Sequence, residues 1–329
     1  MAHALTIRSN GKAEMAYIGA TPWHGLGERL EEGATHEEWA AAAGMDWKIQ
    51  SGFVRYATGY GQGADAWRTV DDMRVLMRSD TKDSLGIVSA RFKIVQPREI
   101  LDFMADLTAQ AGFSLETAGT LHGGRKFWAL AKIGAEATIK NAADKVGGYL
   151  LLATATDGSM ATTGKRTTVR VVCQNTMTAA LRGRADAKIS HRSTFDAEAM
   201  KDELGISREE FNAWAGTMRL LAGERVSADK AERVLIEALT DKRFNTLTSA
   251  QVQEAQEKAA FKKMMDLFQG SGRGSNLDGV KGTAWGLLNA ATEFVDHHVR
   301  ATSQDNRLES AWFGPGEKLK VKVLDLLTA

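Results

Sequence analysis

Three observations predict an α+β fold for this chain of 329 residues. Short apolar or alternating runs, bounded by Gly, Asp and Ser, crowd the first 170 residues or so. Beyond Ser207 the apolar residues recur at three- and four-residue steps behind capping residues, which marks amphipathic helices. Hydrophobic residues at 43% and charged residues at 25% suit a soluble globular chain. The expected layout is an α+β core over 1–195, built from a β-meander, a hairpin and a helix. A helical C-terminal region follows over 196–329.

Taken in order, Thr21 to Gly27 is irregular and carries two large rings, Trp23 and His24. Thr35 with Glu38 forms a capping box for a short helix around Trp39, and Gly44 is its stop. Residues 46–57 alternate loosely through Trp47, Ile49, Phe53 and Val54 and predict a strand. Gly59 to Ala64 matches a dinucleotide fingerprint on paper, but no helix follows, so a loop is expected. Short strands are predicted at 67–70, 74–77 and 85–92, with Asp71-Asp72 as a break. Pro97 opens a helix at its favoured first position, with Ile100, Phe103, Met104 and Leu107 on its apolar face and Gly112 as its end. Residues 113–120 and 125–133 make a hairpin around Gly123-Gly124. Its second strand turns Arg125, Phe127, Ala129 and Ala131 one way and Lys126, Trp128, Leu130 and Lys132 the other.

The run 149–156 is the most apolar in the chain and predicts a buried strand. Asp157-Gly158-Ser159 is a turn, and a more polar strand spans 160–166. Next, Thr168 caps a predicted helix whose stripe is Val169, Val172, Cys173, Thr176, Met177, Ala180 and Leu181. A strand over 167–173 is the rival, since Val169, Val171 and Cys173 also alternate. Residues 196–204 are acidic and read as a boundary. Ser207 with Glu210 caps a helix bearing Phe211, Trp214 and Met218. Further helices are predicted at 228–239, 250–268, 283–299 and 315–327, with a flexible link over 270–276.

Charge is lopsided on this scaffold. The whole chain carries only +1, yet Lys165, Arg166, Arg170, Arg182, Arg184, Lys188 and Arg192 face only Asp186 between residues 160 and 195. A cationic ridge on a near-neutral protein points to a polyanion. Trp128 between Lys126 and Lys132 is the pattern of a base-stacking platform with phosphate partners, and Arg125 adds a cation. The competing account makes Trp128 core and lets the lysines snorkel.

Other chemistry is weakly supported. The single cysteine precludes an internal disulfide and any zinc site built on several cysteines, and it predicts a reducing cytoplasm. No apolar run is long enough for a membrane helix, and the N-terminus lacks a signal-peptide core. Cys173, Asn175 and His191 are the residue types of a thiol hydrolase, but Cys173 sits on an apolar stripe. His297 and His298 are adjacent and diverge on a helix, so no metal is expected. No cofactor is expected either: the 270–276 stretch lacks the Gly-Lys-Ser/Thr ending of a phosphate loop.

Trp23-His24-Gly25-Leu26-Gly27, Asp157-Gly158-Ser159, Arg170-Val171-Val172-Cys173-Gln174-Asn175-Thr176, Thr283-Ala284-Trp285-Gly286-Leu287-Leu288-Asn289-Ala290 and Phe294-Val295-Asp296-His297 resemble, in order, the phage/plasmid-like protein family. That resemblance implies a mobile-element protein and brings no established chemistry. The arrangement of meander, hairpin, helix, basic ridge and helical tail looks like the ring-forming single-strand annealing proteins. It implies a protein that binds and anneals single-stranded DNA in recombination, without nucleotide hydrolysis. The expected partners are single-stranded DNA, further copies in a ring or filament, and a host or phage recombination protein met by the helical tail. The alternatives are an enzyme acting on nucleic acid or amide bonds through Cys173 or Asp157, and a structural or anti-defence protein that binds a host protein.

Overall fold

A computed structural model describes residues 6–8, 11–19, 26–59, 66–111, 113–140, 142–170, 175–178, 186–194, 196, 199, 208–300 and 304–329. Eleven strands and nine α-helices are found among them, and the α+β expectation holds. Strands β1 (Met15–Tyr17) and β2 (Glu28–Arg29) lie at one edge of the main sheet. Helix α1 (His36–Ala43) begins at the expected capping box and ends on Gly44 in the left-handed region. Strands β3 (Ile49–Ala57), β4 (Trp67–Arg78) and β5 (Ser84–Ser89) form a separate antiparallel sheet in that order. Helix α2 (Pro97–Ala111) then leads to β6 (Ser114–Leu121), β7 (Lys126–Thr138), β8 (Lys145–Ala155) and β9 (Thr162–Arg170). Those four strands are the antiparallel heart of the main sheet, extended by β10 (Asn175–Thr178) and β11 (Asp186–Ile189), which both pair with β9.

The hairpin turn between β6 and β7 is set by Gly123 and Gly124, at φ 72° and 92°. A Cβ on Gly124 would also sit 2.6 Å from the Trp47 ring, so glycine is required there twice over.

Two sequence expectations change. Residues 67–78 are one strand rather than two: Asp71 and Asp72 do not end it, because β4 bulges there against β3. The register jumps from Phe53↔Arg74 to Val54↔Val70, and the acids occupy the surplus residues. The helix expected from Thr168 is not formed. β9 runs on to Arg170, and β10 folds back on it with Asn175 opposite Arg170. The rival strand wins because β8 gives Thr167, Thr168 and Val169 backbone partners, and β-branched residues suit a pleated surface better than a helix. Cys173 lies outside the described residues, as does the loop from Tyr60 to Asp65.

The helical part comprises α3 (Arg208–Gly223), α4 (Ala228–Thr240), α5 (Ser249–Glu257), α6 (Ala259–Asp266), α7 (Ala284–Glu293), α8 (Gln304–Phe313) and α9 (Pro315–Thr328). The helix expected over 250–268 breaks at Lys258, whose backbone is extended. Single π-turns extend α6 and α7, at Leu267–Ser271 and Phe294–His298. The 270–276 link is tied down, with the Arg273 amide donating to the Glu293 carboxylate at 2.8 Å. Among the described residues no helix is long and apolar enough to cross a membrane.

Both faces of the main sheet are covered. One, through Phe127, Ala129, Leu150 and Leu152, packs with α1, α2 and the three-stranded sheet. The other, through Trp128, Leu130, Leu151 and Ala153, meets Trp312 and Phe313 of α8. A third core joins the C-terminal helices to Ala135 and Ala137 of β7, Ile139 just after it and Val146 of β8. Residues 1–195 and 196–329 therefore share hydrophobic cores.

Candidate functional site

Strand alternation disperses the predicted ridge. Lys165 lies opposite Leu151 in the β8–β9 pairing and Arg166 opposite Leu150, so the two point to opposite faces of the sheet. Lys165 is buried: its ammonium bonds the Glu317 carboxylate at 2.5 Å and the Trp312 carbonyl at 3.2 Å, and lies 5.3 Å from the centre of the Phe313 ring. Lys126 pairs with Glu309, which also meets His122 at 2.8 Å. Burial opposes ionisation of Glu309, but the hydrogen bonds from Lys126 and His122 prevail and hold its carboxyl below the ordinary range. Trp128 is 2% exposed and meets Trp312 edge-on, with centroids 4.9 Å apart. Lys126, Trp128 and Lys165 are thus packed under α8 and α9 and offer no open stacking platform. The physical reason is that the second face of the strand faces a helix, which periodicity alone does not reveal.

The other predicted residues are scattered. Arg125, Lys188 and Arg192 are exposed. Arg170 ends β9, with its side chain outside the described set, and Arg182 and Arg184 lie wholly outside it. Arg125 is held through its backbone, whose carbonyl accepts from the Thr156 amide at 2.8 Å and the Thr156 hydroxyl at 3.0 Å. His191 anchors Arg192: its Nδ1 lies 3.0 Å from the Lys93 carbonyl, its Nε2 3.2 Å from the Met160 carbonyl, and its ring stacks on Phe92. Both ring nitrogens are engaged, which suits a strut better than a general base. The same contacts bring two exposed cations missed in the sequence, Arg91 and Lys93, to the Arg192 segment. Asp157 accepts the Ser159 amide at 2.9 Å, a local turn bond.

The large exposed rings gather elsewhere, on the three-stranded sheet. Phe53 is 65% exposed, Tyr56 54% and Trp67 51%. Arg68 lies opposite Tyr56, Thr69 opposite Arg55, and Trp67 opposite Ala57. One face of the β3–β4 ribbon end therefore carries Tyr56 with Arg68, and the other carries Trp67 with Arg55. Further in, Arg74 lies opposite Phe53, with its guanidinium 5.1 Å from the ring centre. The bulge at Phe53/Val54 twists the ribbon where these groups sit. The signal existed in the sequence, as aromatic and Arg residues alternating in two adjacent runs, but it reads equally as core.

A family described as a domain of unknown function (DUF932) matches residues 84–312. That span takes in β5, the main sheet from β6 onward and the helices as far as Trp312, and it leaves the β3–β4 ribbon to its N-terminal side. No curated protein and no solved structure matches the chain.

Proposed function

This chain belongs to the DUF932 family, and we propose that it binds single-stranded DNA and promotes annealing in the recombination of a mobile element, without nucleotide hydrolysis. The observation that carries this reading is the β3–β4 ribbon, where Phe53, Tyr56 and Trp67 stand exposed among Arg55, Arg68 and Arg74. Exposed rings stack on any base, and guanidiniums pair with phosphates bidentately, so the combination favours strands without sequence preference. The exposed cations Arg91, Lys93, Arg125, Lys188 and Arg192 support a backbone path along the neighbouring sheet end. The phage/plasmid likeness supports the mobile-element setting.

Fluorescence anisotropy with a labelled strand of about 40 nucleotides tests this. Raising salt from about 50 to 200 mM should weaken binding steeply, through counterion release. Removing Tyr56 or Trp67 should each cost roughly 1–3 kcal/mol, the worth of one stacked base. Absence of binding at low salt sinks the reading, and unchanged affinity in the double variant removes the ribbon from it.

A second observation favours self-association. Ile87 is 54% exposed and lies opposite Val75 on the same sheet, with Met73 and Met77 also only partly buried. An apolar strip beside a strand edge suits another copy of the chain.

A further inference from the structure

A cavity of about 620 Å³ opens between α1, α2 and the ends of β6 and β7. Its size falls within the usual range for small-molecule sites, and its walls are mixed. Ile18, Ala34, Trp39, Ala105 and Leu115 supply apolar surface, and His36, Thr108, Glu32 and Glu116 supply polar atoms. The polar atoms are mostly acceptors. His36 Nδ1 lies 3.1 Å from the Asp102 carboxylate. In the neutral ring that contact fixes the proton on Nδ1 and leaves a lone pair on Nε2. This Nε2 is buried and has no hydrogen-bond partner among the described residues, an exception that asks for an explanation. The Thr108 hydroxyl already donates to the Met104 carbonyl at 3.0 Å, so it too can only accept. Among the described lining residues the lysine, Lys132, is engaged by Glu136 at 2.5 Å.

Glu116 is placed by a backbone irregularity. The β6–β7 register passes from Leu115↔Ala131 to Thr117↔Leu130, so Glu116 is the surplus residue of a bulge. Bulges re-aim a side chain and recur beside binding sites. The carboxyl is partly buried and hydrogen-bonded to Tyr149. Burial pushes it above the ordinary carboxylate range, against the pull of Tyr149 and Lys132.

We propose that this cavity binds a small organic amine or guanidine, with its N–H donors on Glu116, His36 Nε2 and Thr108 and its apolar body against Trp39 and Leu115. A donor-rich cation complements these acceptors, and the half-buried Glu116 carboxyl gains a further donor beside Tyr149. An anion would meet Glu32 and Glu116 and be refused. This site is independent of the ribbon and of DNA binding.

The test uses the full chain with three probes of one shape: 2-phenylethylamine, 2-phenylethanol and phenylacetate. Saturation-transfer NMR and calorimetry read binding, with thermal melts as a check on folding. The amine should bind one per chain, at least tenfold more tightly than the alcohol, with phenylacetate silent. Glu116→Gln keeps a partner for Tyr149 and should weaken the amine at least tenfold. Ala109→Trp, at an exposed wall position, should block it sterically while the fold is kept. Absence of amine binding at millimolar concentration, equal binding of the alcohol, or amine affinity within twofold of the parent in a folded E116Q or A109W protein overturns the proposal.

Discussion

Two tryptophans on neighbouring layers carry opposite expectations. Trp128 is locked between strands and Trp312, whereas Trp67 stands half in solvent on the ribbon face that carries Arg55. Trp128→Ala should destabilise the fold by about 3–5 kcal/mol, as loss of a buried ring does, with any DNA affinity of the folded fraction unchanged. Trp67→Ala should leave the melting temperature nearly unaltered. Paired melts and DNA titrations of the two variants separate the roles. Glu309 holds the same interface from the acid side. Its carboxyl is depressed in the folded chain by Lys126 and His122, so its stabilisation is complete above the unfolded value of roughly 4.3 and is lost as pH falls through the folded value. Glu309→Gln should therefore lower stability near neutral pH, by about 1–2 kcal/mol for a hydrogen bond to a charged group. The gap between the parent and variant melting temperatures should narrow as pH falls below the ordinary carboxylate range. A gap that stays constant from neutral pH down into acid would mean that the contact is not ionic.

At the scale of elements, what was legible follows from how local the cause is. The α1 capping box and the Gly123-Gly124 turn depend on bonds and dihedrals within a few residues, and both appear where the sequence puts them. The strand fate of 167–170 depends on β8, far enough away that apolar spacing alone allowed a helix. Helix α8 lies between the predicted helices 283–299 and 315–327 and was not foreseen. Its Trp312 and Phe313 become meaningful only against the β7–β8 surface. The cover over Trp128 was hidden for the same reason: alternation along β7 shows that Trp128 and Phe127 face opposite ways, not that both faces are covered. The Gly124 turn gives a clean test at this scale. Gly124→Ala forces a Cβ toward Trp47 at a positive φ and should cost about 1–3 kcal/mol. Gly123→Ala has the positive φ without the clash and should cost less. Equal losses in urea melts of the two variants would show that the Trp47 contact is unimportant.

For the whole molecule the question is whether the chain acts alone. The third core, which fuses β7 and β8 to α3, α4 and α7, means that cutting near Lys201 strips apolar cover from Ala135, Ile139 and Val146. The N-terminal fragment should therefore aggregate rather than stand as a DNA-binding module, and soluble expression with a cooperative melt would refute that. Assembly must then use surfaces the intact chain leaves open. Strand β5 is an edge of its sheet, and Ile87 on it, with Val75 and Met73 of β4, leaves an apolar strip at that edge. A head-to-tail contact there would generate a ring or filament rather than a closed pair. One ribbon offers only a few rings, each worth roughly 1–3 kcal/mol on a base. Repeating it along one strand makes each next contact intramolecular and multiplies the affinity. Light scattering during size-exclusion chromatography should accordingly report a multiple of the monomer mass, growing when single-stranded DNA is added. Ile87→Lys, which places a charge in the strip without touching the Tyr56–Arg68 or Trp67–Arg55 pairs, should return the mass to that of one chain and leave binding to a strand of a few nucleotides intact. A parent mass of one chain, with and without DNA, removes the annealing ring and leaves a simple binding module.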